Sequence, residues 1–105
     1  MIRADAVLSI GRNGVQETAG AASAAFAIPN DNSGERAKTV AIRASTAAET
    51  LYVLPVMSGS ATVTAETGLP VCKEAPVLLN VRGYSHIAAI RQTNNVVFNI
   101  TPIED

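Results

Sequence analysis

The sequence has little of what catalytic and ligand-holding domains are usually built from. Its 105 residues include one cysteine, one histidine, two phenylalanines, two tyrosines and no tryptophan. A lone Cys72 can close no disulfide within the chain, and no Cys/His spacing suggests zinc. The expected setting is a reducing one, with Cys72 a small apolar side chain rather than a reactive thiol. A single His86 leaves little from which to assemble a triad, and no G-x-S-x-G is present. "GRNG" and "SGS" lack the strand-loop-helix setting and the lysine of a phosphate cradle. Glu17, Glu49, Glu66 and Glu74 adjoin turns or strand ends, where a solvated carboxylate is the ordinary state. The sequence therefore predicts no enzyme, no metal and no cofactor.

Charge of one sign is also missing. Eight basic and nine acidic residues give a net charge of −1, scattered along the chain without a block of either sign. That argues against nucleic acid as a partner, and no aromatic and arginine residues interleave as a base-stacking platform requires. Long hydrophobic runs are absent too. The longest early one, Ala6-Val7-Leu8, is far too short for a signal-peptide core or a membrane span, so neither export by that route nor a membrane is expected. "AGAASAAFA" has the A-x-A spacing of a cleavage site but no hydrophobic segment before it. Asn99-Ile100-Thr101 fits the glycosylation pattern within an expected strand and is set aside.

What the sequence does have is alternation. Val96, Phe98 and Ile100 point one way while Val97, Asn99 and Thr101 point the other, which is strand periodicity. Residues 86–91 form a second β-compatible run, and Thr93-Asn94-Asn95 between the two predicts a hairpin. In such a strand His86 faces opposite to Ile87, beside Ser85 and without a nearby carboxylate, a structural position. Residues 39–44 alternate as a half-buried strand. Residues 51–57 are continuously apolar and interrupted by Pro55, as in a strand that is buried on both faces or lies at an edge.

Strands are further expected at 6–10, 61–65 and 76–81, with "ETGLP" a turn and "PNDNSGE" a loop. Residues 15–28 are ambiguous between a short alanine-rich helix and a strand over 24–28, and the strand is preferred. The whole chain reads as one all-β domain, an antiparallel β-sandwich or barrel of about seven to eight short strands with an N-terminal arm over residues 1–5. Its expected core is Val40, Ile42, Val53, Val63, Leu79, Val81, Ile87, Phe98 and Ile100. With so much of the 48% apolar fraction alanine, that core is thin, and self-association would add stability.

Residues 38–105, with "KTVAIRAS", "YVLP", "PVLLNV", "YSHIAAI" and the closing "NITP", resemble a group of small tailed-bacteriophage virion proteins. These look like head decoration or cement subunits, although another small β-structured component of neck, tail or fibre base shares the pattern. The resemblance implies a protein made in the host cytoplasm and placed on the outer capsid surface. Its implied partners are the major capsid protein and copies of itself, as a dimer or trimer. The contact residues expected on this reading are Met1, Ile2, Arg3 and Asp5 of the arm and Asn30, Asp31, Asn32 and Arg36 in and after the loop. Tyr52 and Tyr84, which also suit packing with a hydroxyl at the rim, complete that set. A carbohydrate-binding sandwich is the alternative from another class, and it would need exposed aromatic rings.

Overall fold

Among the described residues the chain forms eight strands: β1 (Val15–Ala19), β2 (Ala24–Ala27), β3 (Thr39–Ala44), β4 (Thr50–Val56), β5 (Leu69–Cys72), β6 (Val77–Asn80), β7 (His86–Arg91) and β8 (Val96–Ile103). They are seen in a computed structural model that describes residues 10–45, 50–72 and 76–104. Sheet 1 has the order β1-β8-β3-β6 and sheet 2 the order β2-β7-β4-β5, with every pairing antiparallel. Only β4 and β5 are neighbours both in sequence and in a sheet; each other connection crosses between sheets. This is the strand order of a jelly roll, the two-Greek-key form of the β-sandwich. The expected all-β sandwich is therefore what the chain forms.

Between the sheets lies one apolar core. Sheet 1 contributes Val40, Ile42, Val96, Phe98 and Ile100, and sheet 2 contributes Leu51, Val53, Val71, Ile87 and Ala89. No polar or charged side chain is buried among the described residues. Of the nine core residues expected, only Leu79 is half-buried rather than buried, because β6 is an edge strand.

Three local expectations need correction. The tail is not a hairpin: β7 belongs to sheet 2 and β8 to sheet 1, so residues 92–95 carry the chain across the end of the sandwich. A four-residue connection suits either arrangement, and the long-range partners decide. β7 pairs with β2 and β4, and β8 with β1 and β3. Residues 61–65 do not form a strand. They run over the outer face of sheet 2, where Val63 and Ala61 pack on Val56, Ala88, Leu54 and Ile90 as a second small core. Alternation there reports burial against a face, without ladder partners.

The turn expected at "ETGLP" ends inside β5, whose Pro70 is tolerated because β5 is an edge. In the ambiguous stretch 15–28 the preferred strand forms as β2, and a further strand, β1, precedes it on the other side of Gly20. The strand expected at 6–10 lies outside the described residues except for Ile10, which bridges Ile103.

Pro55 sits in β4, a central strand, which the proline rule disfavours. β5 pairs with β4 only from Thr50 to Val53. Beyond that point β4 is locally an edge, so Pro55 forgoes no bond to β5.

Candidate interaction surfaces

The longest connection between sheets, residues 28–38, is a braced hairpin rather than a free finger. Asn30 and Arg36 form an isolated bridge, and Gly34 at φ 91° turns the chain back so that its N–H donates to Asp31 O at 3.1 Å. The Asp31 carboxylate accepts from Ser33 Oγ at 2.6 Å, Ser33 N at 2.9 Å and Glu35 N at 3.1 Å. The Ser33 hydroxyl above all, then the Glu35 and Ser33 amides and the charge of Lys38, hold this carboxyl below the usual aspartate range against an opposing desolvation effect.

Both chain ends grip the hairpin. Asn13 Nδ2 donates to the carbonyls of Asn30 and Asp31 at 3.2 and 3.1 Å, and Arg12 N donates to Asn32 Oδ1 at 3.1 Å. Asn32 N donates to Glu104 Oε1 and Oε2 at 3.1 and 3.2 Å. Arg36 Nη1 reaches Tyr84 O at 3.3 Å, which ties the hairpin to the β6–β7 turn, where Gly83 adopts φ 84°.

Of the expected contact residues, Asn30, Asp31, Asn32, Arg36 and Tyr84 thus gather at one end of the sandwich. Tyr52 does not join them; it stands on the outer face of sheet 2, level with Pro70 and Ile90. Met1, Ile2, Arg3 and Asp5 lie outside the described residues. Sequence reasoning missed Arg12, Asn13 and Glu104, which brace the hairpin, and exposed Met57, which follows Val56 at the same end, where Ser85 N donates to Val56 O at 3.0 Å. Nothing local marks these residues: their roles come from contacts of long sequence separation.

Exposed apolar groups are concentrated as well. Five large ones are exposed among the described residues; Ile10, Met57 and Tyr84 lie at the hairpin end, and Leu69 and Leu78 lie on edge strands β5 and β6. His86 is half-buried on the outer face of sheet 2, its Nδ1 bonded to Ser85 Oγ at 2.7 Å, with Gly59 lying against Nε2. No group of three His, Cys, Asp or Glu side chains placed to hold a metal occurs among the described residues. Among the described residues, no helix is long and apolar enough to cross a membrane.

No protein-family model, curated protein or solved structure matches this chain.

Proposed function

We propose that the protein is a virion structural protein of a tailed bacteriophage, a capsid decoration subunit that stabilises the head from outside by bridging neighbouring major capsid proteins. The observation that carries the reading is the braced hairpin end. Asn30, Asp31, Asn32, Arg36 and Tyr84 stand at the same end of the sandwich as exposed Met57 and Ile10. A clamp binds by buried area. A surface already fixed by hydrogen bonds avoids part of the ordering cost, about 0.5–1.5 kcal/mol for each side chain immobilised on binding.

The resemblance of residues 38–105 to small tailed-bacteriophage virion proteins supports a virion role and leaves head, neck and tail open. The fold by itself leaves the choice open, since jelly rolls serve in viral capsids and in lectins alike. The sugar-binding alternative lacks a platform of paired rings: Tyr52 lies four residues along β4 from Val56, about 13 Å of strand from the end where Tyr84 stands.

Co-sedimentation with undecorated, expanded heads tests the reading. Binding is expected to saturate, to weaken at least tenfold in the double variant Met57→Asp, Tyr84→Asp, and to survive Arg43→Glu on the outer face of sheet 1. Absence of binding, or binding indifferent to the double variant, rejects the hairpin end as the docking surface. Retention on a glycan array promotes the alternative.

A further inference from the structure

We infer that the free edge of β6 is a self-association surface, at which two copies of this chain join antiparallel β6 strands about a two-fold axis. The inference is independent of the capsid reading. β5 touches β3 across the core and β1 touches β7, so β5 and β6 border one flank of the sandwich and β1 and β2 the other. Among the described residues, β6 pairs on one side only, with β3. Unpaired ladder groups on an edge are a template for another strand unless charge, proline or a bulge blunts them.

The four edges differ in this respect. β1 carries Glu17 at its centre, and a symmetric pairing would set that carboxylate beside its own copy. β5 carries Pro70 within four residues. β2 has only alanine methyls and one half-buried phenylalanine, Phe26, to cover. β6, "VLLN", has no charge and no proline inside it, with Leu78 44% exposed and Val77 and Leu79 half-buried. Leu69, 43% exposed on β5, adds to the same flank.

Parity selects the register. A two-fold perpendicular to a sheet keeps outward residues opposite outward residues, so it must pass through a residue level rather than between two. Centring on Leu78 pairs Leu78 with its copy and Val77 with the copy of Leu79, which covers all three apolar side chains at once. Centring on Leu79 would oppose Leu78 to Asn80. The favoured register joins two four-stranded sheets into one of eight strands.

A standard interface buries roughly 800 Å² per partner, so a stable dimer requires Leu69 of β5 to be covered together with the β6 edge. A strand without charge, such as β6, can lie on the two-fold axis without placing a charge beside its own copy.

Light scattering after size exclusion tests this on the full chain. The expected mass is twice 10.9 kDa. Leu78→Lys, at an exposed position, is expected to weaken association at least 100-fold while leaving the circular dichroism spectrum unchanged, and Thr18→Lys on the opposite flank to leave the mass at the dimer value. Leu78→Cys in a Cys72→Ser background is expected to give a covalent dimer on mild oxidation. A monomer at hundreds of micromolar, a trimer, a dimer that persists in Leu78→Lys, or no cross-link from Leu78→Cys would each overturn the inference.

Discussion

Phe26 of β2 and Phe98 of β8 meet edge to face across the sandwich, with ring centroids 5.5 Å apart and planes inclined by 73°. They come from different sheets and are the chain's two phenylalanines, so this contact is the main aromatic tie between the layers. Phe98 is fully buried among Val, Ile and Ala side chains that cannot fill its volume. Phe98→Ala is expected to cost about 3–5 kcal/mol in urea unfolding, and Phe26→Ala less because that ring is half-exposed. The double variant should show a coupling of roughly 0.5–1.5 kcal/mol. Strict additivity would mean that the rings merely fill space.

Gly68 lies close against Tyr52 of β4 and Val63 of the overlying segment. A Cβ there would lie 2.8 Å from Tyr52 Cβ, 2.8 Å from Val63 Cγ2 and 3.1 Å from Thr64 O. Gly68→Ala should therefore lift residues 61–68 off the sheet, at about 1–3 kcal/mol. Amide exchange reads it directly: protection of Val63 N, which donates to Ser23 Oγ, should fall while the strands keep theirs. Unchanged protection at Val63 would show that the connection is not held by close packing.

The strands that sequence makes legible are β3 and β8, whose apolar residues alternate, and β2, β4, β6 and β7, which read as short β-compatible runs. What it hides is set by distant partners. Val63 alternates like a strand residue yet packs on a face, and Pro70 announces a turn yet sits in an edge strand. His86–Arg91 and Val96–Ile103 look like a hairpin because a short connection is the same whether it turns within a sheet or between two. The candidate surface was legible in the same partial way: the polar loop at residues 29–35 stands out, whereas the Asn13 and Glu104 groups that fix it are remote in sequence.

Asp31 gives the hairpin a dependence on pH. Its folded-state carboxyl titrates below the ordinary 3.8, so its contribution is complete above that value and is lost as pH falls through the lower, folded value. The amide resonances of Ser33 and Glu35 should titrate together with a midpoint below 3.8. Asp31→Asn should abolish that titration and loosen the hairpin, seen as faster exchange at Ser33 N and Glu35 N. A midpoint at or above 3.8 would contradict the carboxylate's place as the organising acceptor.

The proposed function assigns no role to His86 or Cys72. His86→Ala and Cys72→Ser should leave head binding within twofold of the parent chain. His86→Ala should cost modest stability through the loss of the Ser85 bond and of packing under Gly59. Loss of binding by either variant in a folded protein would reveal a site of another kind.

The most direct measurement of the central claim is the temperature at which undecorated, expanded heads rupture, recorded as the protein is added. A decoration subunit binds the intact lattice and not its separated parts, so saturation should raise that temperature, and repeated weak contacts should make the rise steep with concentration. The account predicts an increase that plateaus at a fixed ratio of subunits to capsid protein and is reduced in Met57→Asp, Tyr84→Asp. A rupture temperature unmoved at saturating protein would contradict it.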